Sequence, residues 1–178
     1  FITPMVDRIP PRATDATRQA VQDEQGIDDQ AALASEPFSE WVLAGEFKGP
    51  RPAWDAVGVE FVDDVVPHEL RKLWLLNGAH SLMAYAATIA GHHTVADAIA
   101  DPVVRGWVDE WWDVAQRQLP LDSDVVTEYR AALLERFGNP RMRDQLSRIA
   151  ADGSLKIPIR IVPALVADRK AGNSPLGA

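Results

Sequence analysis

The sequence predicts a mainly α, multi-helical domain with a minor β ribbon near the N-terminus, and three observations predict it. Residues 67–90 are almost continuously apolar or small, as in a helix buried on most sides. Beyond them, cap and stop residues bracket one helix-length segment after another. Two short β-branched or aromatic runs, Trp41 to Leu43 and Val57 to Val62, suit strands near the N-terminus. At 178 residues and 47% hydrophobic content the chain suits one domain that buries a substantial core.

Phe1 to Ile9 reads as one short extended segment, with Pro4 blocking helix and Pro10-Pro11 ending it. Thr14 can cap a helix to Gln25, stopped by Gly26, and Asp28-Asp29 can start a short helical turn toward Ala34. Trp41 to Leu43 and Val57 to Val62, separated by Gly49-Pro50-Arg51-Pro52, can pair as the ribbon. The central helix runs from Pro67 to Ala90 and stops at Gly91. Thr94 or Val95 opens a short helix to Ala100, and Asp101-Pro102 opens one carrying Trp107, Trp111 and Trp112 to Leu119. Asp122 or Asp124 leads a helix to Phe137. Gly138-Asn139-Pro140 stops it and starts the next, to Ala151. Asp152-Gly153-Ser154 is a stop before a further segment from Leu155 to Ala167, and Ala171 to Ser174 reads as linker.

Composition excludes several functions. Lys and Arg number 18 against 26 Asp and Glu, a net charge of −8, which argues against nucleic acid or an anionic membrane as partner. Zero cysteines remove disulfides, thiolate nucleophiles and cysteine zinc sites, and a reducing cytoplasm fits. No apolar run approaches the roughly 20 residues of a membrane span. The chain opens on Phe1 in an apolar stretch, so we read it as a fragment of a longer protein. No G-x-G-x-x-G, P-loop lysine, G-x-S-x-G or H-E-x-x-H occurs, so a nucleotide must be bound elsewhere. His92-His93 invites a metal reading, but adjacent residues at a helix end point apart and no third ligand is near, so no metal site is expected.

One group of polar residues does not fit a core. Lys72, Asn77 and His80 interrupt the leucines of the central helix. At about 100° per residue, Asn77 lies roughly 140° and His80 roughly 80° around from Lys72, over about 12 Å of rise. Three polar side chains on one side of a buried helix either converge on a polar ligand or satisfy one another. A second group, Arg148 and Lys156, brackets the Asp152-Gly153-Ser154 break, where the two cations can hold an anionic or polyhydroxylated ligand or serve a helix C-terminus.

Four stretches, in order, carry a family resemblance: MVDRI; EPFSEWVLAGEF with GPRPAW; FVDDVVPHELRKLWLLNGAHS; and LLERFGNPRMRDQLSRIAADGSLKIPIR. Over residues 1 to about 165 the chain resembles the polyol-specific long-chain dehydrogenases, the mannitol dehydrogenase and fructuronate reductase (D-mannonate oxidoreductase) family. The resemblance implies that residues 1–178 form a C-terminal substrate-binding and catalytic domain similar to the helical domain of 6-phosphogluconate dehydrogenase. It implies a separate N-terminal Rossmann domain that binds NAD or NADP, no metal, and inactivity of this chain alone. Residue by residue, it implies Lys72 as general base, Asn77 and His80 as donors to the reacting oxygen, Arg148 and Lys156 as ligands of the substrate's hydroxyls or carboxylate, and Asp7, at the domain junction near the site, as a further substrate-binding residue. The sequence departs from the pattern at Pro4, at Ala79, where serine is common, and at Leu155 and Ile159, where glutamine is common.

These residue types suit oxidation of a secondary alcohol to a ketose or keto-acid. A base must take the hydroxyl proton while hydride leaves the same carbon, and leucines around a lysine favour its neutral form. A non-catalytic helical interaction module that keeps the family fold is the alternative, as is a phosphorylated-polyol dehydrogenase with extra basic residues. The expected partners are a small polyol or sugar acid and the Rossmann domain.

Overall fold

The computed structural model describes residues 1–10 and 13–174. Strands β1 (Thr3–Asp7), β2 (Glu40–Ala44) and β3 (Val59–Val62) form a sheet in the order β1-β2-β3. β1 and β2 are antiparallel, with Met5 opposite Val42, whereas β2 and β3 are parallel, with Trp41 opposite Val59. The expected ribbon is therefore one part of a mixed three-stranded sheet, because the 45–58 connection is long enough to cross over rather than form a hairpin. Met5, Val42, Ala44 and Val65 make the sheet's small core. Strand alternation buries Met5 and Asp7 together and turns Val6 outward.

Helix α1 (Asp15–Gln25) follows the Thr14 capping box with Thr17 and ends at Gly26 in the left-handed region, with no buried residue. The helical turn expected near Ala34 is a single turn instead. The Asp29 carboxylate accepts the Ala31 N–H, and the segment is too short and too exposed to propagate. The central helix, α2, comprises four consecutive segments, Val66–Arg71, Lys72–Gly78, Ala79–Leu82 and Met83–Ala87, of which the second and fourth are π-helical. Thr94 caps α3 (Val95–Ala100), Asp101 caps α4 (Pro102–Gln116), and α5 spans Ser123–Phe137.

Two later expectations need correction. Asn139-Pro140 does not start a helix: α6 (Leu146–Ala150) begins only after a loop tied to the start of α3. Val95 N donates to Asp144 O and Leu146 N to His93 O, both at 3.0 Å, and these ties hold the loop backbone extended at Gln145. The segment after the Asp152-Gly153 break is two helices, α7 (Gly153–Arg160) and α8 (Val162–Lys170), with Pro163 in the first turn of the second.

The core lies between α2 and α4, where Leu75, Leu76 and Met83 pack with Val104, Val108 and Trp112, and α5 adds Leu133 and Phe137. Trp111 Nε1 donates to Trp74 O at 2.8 Å and Trp112 Nε1 to Leu75 O at 2.9 Å. Both carbonyls belong to the first π-helical segment, so two indoles of α4 hold that widened turn. Gly78 allows the approach, since a Cβ there would lie 2.6 Å from Trp111 Nε1. No helix among the described residues is long and apolar enough to cross a membrane.

The close approach sets a sign. Replacing a helix glycine by alanine ordinarily stabilises by about 0.5–1 kcal/mol. At Gly78 the overpacking term of about 1–3 kcal/mol should win, so Gly78→Ala should lower the urea midpoint. An unchanged or raised midpoint would mean that Trp111 yields without cost.

Candidate active site

The π-helical segment changes the geometry that regular spacing predicts. Its hydrogen bonds run from residue i to i+5, so Asn77 comes round nearly above Lys72 instead of a third of a turn away. His80, one further turn along, faces the same way. The three side chains line one cavity of about 240 Å³ with Arg148, Lys156 and Arg160. That volume is below the roughly 300–1,000 Å³ of drug-sized sites and suits a small ligand.

Lys72 donates through Nζ to the carbonyl of Val6, which aims its amine across the gap between α2 and the end of β1. It is half-buried rather than enclosed by leucines, because the neighbouring leucines turn into the core while residue 72 faces the cavity. His80 is 7% exposed, its ring 4.8 Å from that of Phe137. Burial drives its pKa down to about 4. The Asp144 carboxylate opposes the shift, and Arg160, Arg136 and Arg148 add to it. His80 is therefore a neutral imidazole at pH 7, able to donate one N–H.

The turn between α6 and α7 places the cationic wall. Tyr85, from α2, donates its hydroxyl to Ala150 O at 2.7 Å, and a side chain at residue 153 would collide with that hydroxyl, so Gly153 is required. Asp152, with φ at 59°, completes the reversal. Arg148, half-exposed before the turn, pairs with Asp144. Lys156, after it, donates to Ile149 O at 3.2 Å.

Asp7 lies beneath the cavity and not in its wall, since its 0% exposed carboxylate is already taken. Arg136 donates to it twice, at 2.8 and 2.9 Å, and Tyr129 donates through its hydroxyl. Burial by itself would raise the Asp7 carboxyl. The Arg136 and Tyr129 hydrogen bonds, with the charges of Arg136 and Lys72, outweigh it and hold the carboxyl below the usual range. Burial and the Asp7 carboxylate push the Tyr129 phenol up. Arg136 also donates to Glu36 at 2.8 and 2.9 Å. In this arrangement the Asp7 carboxylate anchors the end of β1 to α5.

Sequence reasoning missed Arg8, Asp144 and Arg160, all of which line the cavity. Arg8 arrives from the strand end through long-range packing and Asp144 from the loop taken for a helix. Arg160 carried a signal: it lies four residues after Lys156, one turn along the same face. His92 bonds the Asp101 carboxylate at 2.9 Å, which gives it a capping partner. Among the described residues, Glu40, Glu60 and His68 place ligand atoms within 4.8 Å of one another. None of them lines the cavity, and Glu40 already takes two bonds from Arg71, at 2.5 and 2.6 Å.

The domain is thus mainly helical, with a polar, lysine-containing cavity on its central helix. The profile of the mannitol dehydrogenase C-terminal domain matches residues 64–176, and that of the mannitol dehydrogenase Rossmann domain matches residues 1–56. The chain belongs to the mannitol dehydrogenase family. It is 42% identical over 166 residues to D-mannonate oxidoreductase of Escherichia coli, covering 91% of this chain and 34% of that protein. It is 41% identical over 165 residues to mannitol dehydrogenase DSF1 of Saccharomyces cerevisiae, covering 90% and 32%. Mannitol 2-dehydrogenase of Pseudomonas fluorescens, solved as a ternary complex with NAD and D-mannitol, superposes with a TM-score of 0.85 at 38% identity, over 98% of this chain and 36% of that one. The chain spans about a third of the length of these relatives.

Burial of His80 makes stability pH-dependent. Its pKa falls from about 6.5 in the unfolded chain to about 4 when folded, so between those values the unfolded state binds the extra proton. Stability should therefore drop as pH falls through that window, by on the order of 3 kcal/mol. Asp7, Asp101 and Asp168, whose carboxyls are held low, add losses of the same sign only below about pH 4. Urea unfolding should show His80→Gln with a flatter profile between pH 4 and 6.5. A slope equal to the parent's would place the protonation elsewhere.

Proposed function

We propose that the chain is the substrate-binding and catalytic domain of a cytoplasmic NAD(P)-dependent oxidoreductase. The enzyme interconverts a polyol or aldonate secondary alcohol with a ketose or keto-acid. The observation that carries the reading is the convergence of Lys72, Asn77 and His80 on one cavity that four further cations, Arg8, Arg148, Lys156 and Arg160, border.

In the oxidising direction the substrate's hydroxyl proton passes to Lys72 Nζ, and in reduction the Lys72 ammonium returns it. Asn77 and the neutral His80 donate hydrogen bonds to the same oxygen as negative charge builds on it. Arg148 and Lys156 hold the distal hydroxyls or a carboxylate and so fix which carbon faces Lys72. The base and both donors come from one helix, and none of these roles calls for a metal ion. The sequence has no glycine-rich dinucleotide turn, so we assign cofactor binding chiefly to sequence outside this chain. When bound, NAD or NADP takes up the hydride. Support comes from the names of the similar proteins, D-mannonate oxidoreductase and mannitol 2-dehydrogenase, the latter solved with NAD and D-mannitol.

In the full-length protein, Lys72→Ala should lower turnover by about 10²–10⁴-fold, the usual worth of a positioned base. NADH affinity should be unchanged, and small primary amines should restore part of the activity. A Lys72→Ala enzyme with near-normal turnover would remove Lys72 from the role of base.

A further inference from the structure

The cavity's charge is out of keeping with the chain's. The sequence carries a net charge of −8, yet five cationic side chains, Arg8, Lys72, Arg148, Lys156 and Arg160, face a single carboxylate, Asp144, around the cavity. Asp144 is spent on Arg148. Lys72 and Lys156 are held by main-chain carbonyls, and Arg8 by Ser35 and the carbonyl of Glu36, contacts that leave their charges uncancelled. Glu36 and Asp7 are both taken by Arg136 beneath the cavity, although the Asp7 charge also reaches Lys72.

Arg160 is the least satisfied of the five. Its only hydrogen bond among the described residues is a long one, from Nη1 to Ser81 Oγ at 3.4 Å, and no carboxylate pairs with it. Its Nε is buried without a partner. Partial burial also pulls its pKa below the ordinary arginine value. A half-buried guanidinium that lines the cavity with its Nε unpartnered has its remaining donors free for the site's ligand, and its planar fork matches a carboxylate.

We infer that the site is built for an anionic sugar acid rather than a neutral polyol, with Arg160 as the specificity-determining residue that takes the substrate's carboxylate. This rests on the dehydrogenase reading above and narrows it. Ser81, on the central helix one residue past His80, steadies the Arg160 fork, so the distance from carboxylate to reacting carbon is set by the same helix that carries the base. Lys156, one turn earlier on α7, completes the anion subsite. Arg148, already paired, is left for hydroxyl groups.

The test compares D-mannonate with D-mannitol in the full-length enzyme with NAD. The parent enzyme should favour the aldonate in kcat/KM. Its aldonate KM should rise with ionic strength while the hexitol KM stays level, a readout that needs no variant. Arg160→Gln should lower kcat/KM for the aldonate by about 10- to 100-fold, mainly through KM, and change the hexitol value by less than about 3-fold. Arg160→Lys should recover part of the loss. A parent enzyme that prefers the hexitol, or an equal loss on both substrates in Arg160→Gln, would overturn the inference and leave the dehydrogenase reading intact. Calorimetric titration of both compounds separates the two claims. A protein that turns over neither compound, yet binds the aldonate more tightly in a manner that Arg160→Gln abolishes, supports the anion subsite and sinks the dehydrogenase reading alone. Equal binding of both compounds overturns the inference.

Discussion

Arg136 holds two buried carboxylates, Asp7 at the end of β1 and Glu36 in the loop before β2, with its guanidinium stacked 4.0 Å from the Phe38 ring. Three charges out of water are tolerable only because nearly every donor and acceptor is matched, and removing one member of such a group typically costs about 3–5 kcal/mol. The cluster joins the sheet to α5 and so decides where β1 ends. From that end the Val6 carbonyl meets Lys72, Ile9 N donates to Glu36, and Arg8 and Ile9 form a wall of the cavity. The distance between strand and central helix, on which the aim of Lys72 depends, is thus set by an ion cluster that touches no ligand.

The cavity separates two electrostatic tasks. Burial against Phe137 keeps His80 neutral in spite of Asp144, so a donor without full charge stands beside Lys72. The cations collect on the opposite wall, on α6 and α7, where the turn fixed by Tyr85 and Gly153 orients them. On the proposed function, a neutral donor and a cationic wall set apart from it would let binding and proton transfer be tuned separately. The central helix carries the first set directly and fixes the second through Tyr85 and Ser81.

Local chemistry was legible in the sequence and long-range chemistry was not. Thr14, Thr94 and Asp101 cap the helices assigned to them, because a cap needs only its own first turn. The polar trio on α2 stood out because its neighbours are leucines. The π-helical segment that brings Lys72 and Asn77 together was invisible, since two tryptophans some 37 residues away hold it. The burial of Asp7 and Glu36 carried no local signal, because Arg136, which encloses both, lies 129 and 100 residues on. Arg160 carried only its spacing from Lys156. Only its missing partner, a property of the folded chain, sets it apart.

The most direct measurement is a crystal structure of the full-length protein with NAD and its sugar substrate bound. The account predicts the reacting oxygen about 2.6–3.2 Å from Lys72 Nζ, within hydrogen-bond reach of Asn77 and His80, with Asp7 still enclosed by Arg136 and Tyr129. A substrate whose reacting carbon lies away from α2, with Lys72 still on the Val6 carbonyl and out of reach, would contradict it.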